Sequence, residues 1–256
     1  LSRVCLAEGD PTRAEDLLRQ MVNHSDAEQL DLALMGGFYE NQGKWDLAEK
    51  AYLQSRSRAP ETEVAPHARL SGFYSRRGNY DRAVSALEEA RRIDPDSSEL
   101  RVAMAELHYR FSRLDRAEAL VNDLLAEDRG HVAASYLKGR IDLHRHEPKQ
   151  ALESLNHVLR NHPDHAGANY YMGVAEAALG QQDQAVAHLE KALNGNPRNV
   201  EARLLLAEIY LARKEVDLAR EQLDATLEVT PDLARAHMLY GALHALQGDW
   251  DRAEAA

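Results

Sequence analysis

The chain has 256 residues, a formal net charge of −11 at pH 7 and 6% aromatic residues. The acidic balance argues against sequence-independent binding to nucleic acid, which needs a basic face that neutralises phosphates. No apolar run approaches about 18 residues, so no membrane-spanning helix is expected, and the lone Cys5 excludes an internal disulfide.

An alanine recurs along the chain at an almost constant spacing of 34 residues. The positions are Ala14, Ala48, Ala83, Ala117, Ala151, Ala185, Ala219 and Ala253, with a single gap of 35. A period this strict indicates one supersecondary unit that is copied along the chain. A single unit of this size cannot bury its own apolar face, so the repeats are expected to stack.

Each unit predicts, in chain order, a first helix, a tight turn, a second helix and a stop. The first helix carries a small residue where the second helix must approach closely, at Gly36, Ser71, Ala105, Gly139, Gly173, Ala207 and Gly241. The turn is marked by glycine at Gly9, Gly43, Gly78, Gly180 and Gly248, and an aspartate that opposes the helix dipole follows it in most units. Most second helices end before a proline, at Pro60, Pro95, Pro163, Pro197 and Pro231.

We therefore predict an all-α fold, a single solenoid of stacked antiparallel helix pairs over residues 1–256. The predicted boundaries are a partial first repeat at 1–28, full repeats at 29–63, 64–97, 98–131, 132–165, 166–199 and 200–233, and a truncated last repeat at 234–256. The chain begins at Leu1 within a predicted helix and lacks an initiator methionine, so we expect it to be a piece of a longer protein.

The first full unit resembles a known repeat. Its small and large residues are similar to the pattern of the tetratricopeptide repeat (TPR) family at Leu32, Met35, Gly36, Tyr39, Ala48, Tyr52, Ser55 and Pro60. The resemblance extends over the whole chain and implies a right-handed superhelix whose first helices line a concave groove for peptides or protein partners. Lys138 and Asp142 depart from the family pattern, since apolar residues are expected there.

The helical phase of the first helices predicts which side chains line this groove. The lining is small and polar with nearby arginines toward the N-terminus, and apolar and aromatic toward the C-terminus. The candidate partner-binding residues are Arg69, Arg76, Tyr109, Arg110, Tyr136, Arg140, Leu143, Tyr170, Val174, Leu204, Leu211 and Met238. We expect the apolar part to bind an amphipathic helix or extended peptide, and the arginines to pair with an acidic segment of it. In the alternative interpretation, the apolar column packs against the next unit and the arginines stay solvated.

No enzyme, cofactor or metal motif stands out. The His146-Glu147 pair is followed by Pro148, so the helical zinc-protease motif fails. Histidines crowd residues 131–165 without the cysteine or carboxylate spacing of zinc sites, and His162 and His165 are expected to be solvated on either side of the loop residue Pro163. The lysine and asparagine set with which some TPR proteins grip a C-terminal carboxylate is absent. We predict no catalytic residue, no cofactor and no metal.

Two function classes remain. The first is a protein interaction scaffold, which the alanine-, arginine- and aspartate-rich style of the repeats places in bacteria, in an assembly for exopolysaccharide export or secretion. The expected compartment is the periplasm or cell envelope, with the cytoplasm as the alternative. The second class is a docking or regulatory arm of a larger enzyme, such as a glycosyltransferase, sulfotransferase or peptidase. Uncapped terminal repeats also allow head-to-tail self-association.

Overall fold

A computed structural model of the chain describes residues 11–23 and 29–255. Within these ranges the regular secondary structure is entirely α-helical. The helices are α1 (Pro11–Asn23), α2 (Gln29–Asn41), α3 (Trp45–Arg58), α4 (Ala65–Arg76), α5 (Tyr80–Ile93), α6 (Ser98–Arg110), α7 (Leu114–Glu127), α8 (Val132–His144), α9 (Pro148–Asn161), α10 (Ala166–Ala178), α11 (Gln182–Gly195), α12 (Val200–Ala212), α13 (Val216–Val229), α14 (Ala234–Leu246) and α15 (Trp250–Ala255). The predicted turn at Gly9 and the residue Cys5 lie outside the described residues.

Consecutive helices form pairs joined by short turns. The first helix packs on the second in the pairs α2 and α3, α4 and α5, α8 and α9, α10 and α11, α12 and α13, and α14 and α15. Each predicted full repeat contains one first helix and one second helix. The all-α class and the helix pairs are therefore as the sequence predicted.

The chain divides into two compact units, which we call the N-terminal unit (Leu1–Leu120) and the C-terminal unit (Val121–Ala256). The core of the N-terminal unit is built around Leu70, Phe73 and Leu87. The C-terminal unit has one cluster around Leu155 and Met172 and another of buried leucines and alanines in α11–α14. Among the described residues, no helix is both long and apolar enough to cross a bilayer.

Small residues allow the helices of a pair to approach closely, as predicted. A methyl group added at Gly139 would lie 2.6 Å from Leu155 Cγ, and one at Gly173 would lie 2.6 Å from Leu189 Cγ. At Gly36 the same addition would fall on a tyrosine ring of α3 at 2.8 Å. These distances are shorter than van der Waals contact, so the glycines set the spacing between the paired helices.

The turn between the paired helices needs a left-handed residue. Four of these positions are glycines with positive φ, at Gly43, Gly78, Gly180 and Gly248. The equivalent positions in three other pairs are Ser112, His146 and Lys214, with φ of 56°, 61° and 62°. For residues with a Cβ this conformation costs roughly 1–2 kcal/mol. The turn is therefore a property of the repeat, kept even where the sequence does not supply glycine.

Two histidines that the sequence left without a role begin first helices. His131 Nδ1 accepts a hydrogen bond from the Ala134 N–H at 3.2 Å, and His165 Nδ1 accepts one from the Ala168 N–H at 3.0 Å. Each satisfies a backbone donor that the helix itself leaves open. The expectation that His165 is solvated was wrong, because its half-buried ring caps α10. In the part of the chain that the structure describes, no three His, Cys, Asp or Glu side chains come together as a metal site requires.

The two polar departures from the repeat pattern are accommodated within one helix. Asp142 is buried, and the Lys138 ammonium forms an ion pair with its carboxylate one turn earlier on α8. A buried carboxylate is costly unless it is paired, and the partner four residues away meets that need locally.

Candidate functional site

The first helices of the N-terminal unit leave two clefts open between them. The α2–α4 cleft has a volume of about 460 Å³ and is lined by Leu30, Ala33, Leu34, Tyr52, Ala68, Arg69, Gly72 and Arg76. The α4–α6 cleft has a volume of about 250 Å³ and is lined by Ala68, Ser71, Gly72, Ser75, Arg76, Leu87, Ala103, Glu106, Leu107 and Arg110. Ala68, Gly72 and Arg76 line both, so the two clefts are continuous across α4.

Gly72 is the reason that the clefts join. A Cβ added there would meet only the flexible end of Arg76, with Nη1 at 3.2 Å. Arg69, Gly72 and Arg76 are spaced by three and four residues, which places them on one face of α4 over two turns. The face therefore presents two arginine side chains, and the Arg76 guanidinium lies over Gly72 between them.

One of these arginines is fixed by a carboxylate from the neighbouring first helix. The Arg76 guanidinium donates to both oxygens of Glu40, with a distance of 2.9 Å from Nη2 to Oε2, and the Tyr52 hydroxyl also donates to Oε2 at 2.9 Å. Burial alone would raise the pKa of Glu40, but the hydrogen bonds from Arg76 and Tyr52 outweigh it, so this pKa lies below its usual range. Burial and the bond to Glu40 raise the pKa of Tyr52 to about 12. Glu40 is thus an ionised anchor that holds Arg76 across the cleft.

Arg69 has no comparable anchor for its outer nitrogen. Its Nη1 atom is buried and has no hydrogen-bond partner. Buried polar atoms in folded proteins are nearly always hydrogen-bonded, and a charged donor gains most from a partner. Arg69 also lines the α2–α4 cleft and is half-buried as a residue, so it contributes a positive charge to the cleft wall.

The opposite wall of the α2–α4 cleft is aliphatic and open to solvent. Leu30 is 50% exposed and Leu34 is 37% exposed, one turn apart on α2. Large aliphatic side chains at this exposure, beside a cleft, are typical of surfaces that bind another chain. The sequence analysis missed both, although their spacing of four residues beside the small Ala33 was a usable signal.

The remaining candidates of the N-terminal unit lie on α6. Arg110 is exposed and donates to the Ser75 hydroxyl at 3.3 Å, which holds it over the α4–α6 cleft. Tyr109 is half-buried and does not line either cleft. The structure therefore brings Arg69, Arg76 and Arg110 to one continuous surface and leaves Tyr109 beside it.

The first helices of the C-terminal unit carry an aromatic cluster, whereas those of the N-terminal unit line clefts beside Gly72. The Tyr136 ring lies 4.9 Å from the His165 ring and 5.9 Å from the Tyr171 ring, and Tyr170 stacks edge-on against Tyr171 at 4.9 Å. The Arg140 guanidinium lies over both Tyr136 and Tyr171, at 5.4 and 5.7 Å. Tyr171 and His165 were not among the predicted site residues, and they tie the predicted ones to each other.

The predicted apolar column is largely part of the core. Leu204 is fully buried and Leu211 is 8% exposed, and both belong to the cluster of α11–α14. Assigning these two leucines to a partner-binding surface was wrong, because neighbouring helices within the unit already cover them. Met238, at the equivalent position on α14, is 74% exposed.

The other candidates of this unit are half-buried. Leu143 packs against the cluster around Leu155, and Tyr170 packs against the cluster of α11–α14. Val174 is likewise half-buried. Leu204 and Leu211 are thus hidden, as in the alternative interpretation of the apolar column, and a partner-binding role of its half-buried members stays a prediction.

An ion-pair network missed by the sequence analysis lies near Met238. Arg235 at the start of α14 donates to Glu208 at 2.7 and 3.1 Å and to Glu201 at 2.9 Å, both on α12. The bonds to Glu208 are the main cause that raises the pKa of Arg235. The network is half exposed and joins one positive charge to two negative ones, and exposed ion pairs of this kind contribute little to stability.

Comparison with known proteins agrees with this architecture. Profiles described as tetratricopeptide repeat match residues 75–141 and 176–243, residues 136–193, and residues 1–20 and 234–256. The first of these alone covers more than half of the chain. No curated protein sequence matches the chain.

Solved structures share the fold at low sequence identity. A structure described as functional characterization of Pseudomonas aeruginosa pilF aligns with a TM-score of 0.66 and 22% identity over 75% of this chain and 87% of that one. The APC/C hetero-tetramer Cut9-Hcn1 aligns with a TM-score of 0.70 and 16% identity over 98% of this chain. This chain spans only 48% of that one. A tetratricopeptide repeat protein from Parabacteroides merdae aligns with a TM-score of 0.63 and 17% identity over 89% of this chain and 90% of that one.

Proposed function

Because the chain belongs to the tetratricopeptide repeat family, whose arrays are protein interaction scaffolds, we propose that its N-terminal unit binds an extended segment of a partner protein. The segment lies across α4, in the continuous α2–α4 and α4–α6 clefts. The observation that carries this proposal is the pair of clefts that share Ala68, Gly72 and Arg76 on α4, where Gly72 contributes no side chain and only the Arg76 guanidinium lies over the helix.

The dimensions of the clefts suit an extended chain. Neighbouring helices are about 10 Å apart from axis to axis, and an extended peptide advances about 3.3 Å per residue. Side chains that enter the two clefts would then be about two or three residues apart. A helix would need a wider trough than a single glycine provides.

The test is a variant that closes the clefts and leaves the helix intact. Gly72→Leu places an aliphatic side chain over both clefts, and leucine favours a helix by about 0.8 kcal/mol over glycine. Gln150→Leu, on the exposed surface of α9, adds the same side chain elsewhere. Proteins captured from the source cell by the wild-type chain should be lost with Gly72→Leu and retained with Gln150→Leu. A partner retained equally by all three chains would contradict binding in these clefts.

The cellular setting stays a prediction. The alanine-, arginine- and aspartate-rich repeats favour a bacterial envelope assembly for export or secretion, and the role as an arm of a larger enzyme stays as the alternative. Fractionation of the source cell, followed by detection of the chain in periplasmic, membrane and cytoplasmic fractions, tests the compartment. Recovery in the cytoplasm alone would contradict the envelope assignment.

A further inference from the structure

The charge distribution of the α2–α4 cleft specifies what kind of segment it accepts. Two guanidinium groups, Arg69 and Arg76, line the cleft, and the carboxylate of Glu40 pairs with Arg76. Both oxygens of Glu40 are occupied, by Arg76 and by the Tyr52 hydroxyl. The uncompensated charge is therefore positive and resides on Arg69, within a chain whose net charge is −11.

Resting on the proposed function, we infer that the α2–α4 cleft selects a peptide carrying an acidic side chain next to an aliphatic one. The carboxylate of the peptide meets Arg69, and its aliphatic neighbour contacts Leu30 and Leu34 on the facing wall. A carboxylate is the ligand that a guanidinium binds best, through paired N–H donors of matching geometry. Arg69 lines this cleft and is only half-buried, so its positive charge is available at the cleft wall.

Gly72 and Arg76 give this subsite its register. Gly72 follows Arg69 by one turn and has no side chain, so only the end of the Arg76 side chain lies between a bound peptide and α4 there. Arg76 is half exposed at 52% although it is bound to Glu40, and it bounds the far side.

Selection from random short peptides displayed on phage tests this inference. Peptides selected by the wild-type chain should be enriched in aspartate or glutamate beside leucine, isoleucine or valine. Selection by Arg69→Gln should keep the aliphatic preference and lose the acidic one. The matched control is Arg198→Gln, an exposed arginine of the C-terminal unit, which should select the same acidic peptides as the wild type.

One selected peptide then gives the pairwise coupling by fluorescence anisotropy. Arg69→Gln should weaken its binding about tenfold, as should replacing its acidic residue by the corresponding amide. Combining both changes should cost little more than either alone, because they remove the same interaction. Circular dichroism of each variant checks that the helices remain.

The outcomes separate this inference from the proposed function. Enrichment of peptides without an acidic preference, whose binding Gly72→Leu abolishes, would overturn the inference and leave the proposed function standing. Failure to select any peptide whose binding depends on Gly72 would overturn both. Equal binding of the acidic peptide and its amide counterpart would also overturn the inference.

Discussion

The same repeat position has opposite consequences in the two units. In the N-terminal unit it is occupied by Gly37 and Gly72, which add no side chain there, and by Glu106, which lines the α4–α6 cleft. In the C-terminal unit it is occupied by Arg140 and Val174, and the Arg140 guanidinium covers two tyrosine rings. The repeat thus fixes the helices, while side chains at one position decide whether a surface receives a ligand or completes the fold.

The largest expected effect compares two glycines with different surroundings. Gly173→Leu should destabilise the chain by about 3 kcal/mol or more, because even a methyl group there would overlap Leu189. Gly72→Leu should leave the free energy of unfolding within about 1 kcal/mol of wild type, since the nearest group to an added Cβ is the exposed end of the Arg76 side chain, at 3.2 Å, which can shift. Urea unfolding measures both. Equal losses at the two sites would break the comparison, because both glycines would then serve helix packing.

The next effect concerns the aromatic cluster of the C-terminal unit. Tyr136→Ser should cost about 2 kcal/mol, since it removes a ring that packs on His165, Tyr171 and Arg140. Tyr136→Phe keeps the ring and should cost less than about 1 kcal/mol. Thermal unfolding distinguishes them. Unchanged stability in the serine variant would mean that this tyrosine is free to bind a partner, as the sequence analysis predicted.

A smaller effect tests the turns between paired helices, whose left-handed residue occurs in both units. Replacing Ser112, His146 or Lys214 by glycine should each stabilise the chain by about 1 kcal/mol, because the left-handed backbone no longer opposes a Cβ. Gly78→Ala is the reverse change and should destabilise by a similar amount. Each variant is read from its unfolding midpoint, and a loss of stability in the glycine variants would contradict the assigned turn geometry.

The smallest effect is a dependence on pH that originates in the N-terminal unit. Burial, with a contribution from the nearby Arg116, lowers the pKa of His108, whose Nδ1 lies 3.0 Å from the Tyr80 hydroxyl. The unfolded chain then binds more protons just below pH about 6.5, so stability falls as the pH drops from there toward the folded-state pKa. His108→Gln should flatten this slope in unfolding measured as a function of pH. An unchanged slope would exclude His108 as its source.

Much of the architecture was predictable because it depends on local spacing. The 34-residue period predicted the helix pairs, and the small residues at Gly36, Gly139 and Gly173 predicted the close approach of the paired helices. The left-handed turns at Ser112 and His146 were not recognised, since a sequence pattern identifies such turns mainly through glycine. The repeat imposes the backbone there, whichever residue occupies it.

The site was less predictable, because exposure depends on which neighbour covers a position. Leu204 and Met238 occupy the same repeat position, yet one is fully buried and the other is 74% exposed. Arg69 and Arg76 looked equivalent in the sequence, and only the structure places Glu40 against one of them. Helical phase gives the direction of a side chain, but the packing partners come from residues far along the chain.

Hydrogen exchange with and without a bound acidic peptide tests the central claim most directly. The account predicts that the peptide slows amide exchange in α2, α4 and α6 of the N-terminal unit, and that Arg69→Gln removes this protection. It predicts no change around Tyr136, Tyr170 and Arg140. Protection confined to α8 and α10 would contradict the account and return the binding surface to the tyrosines.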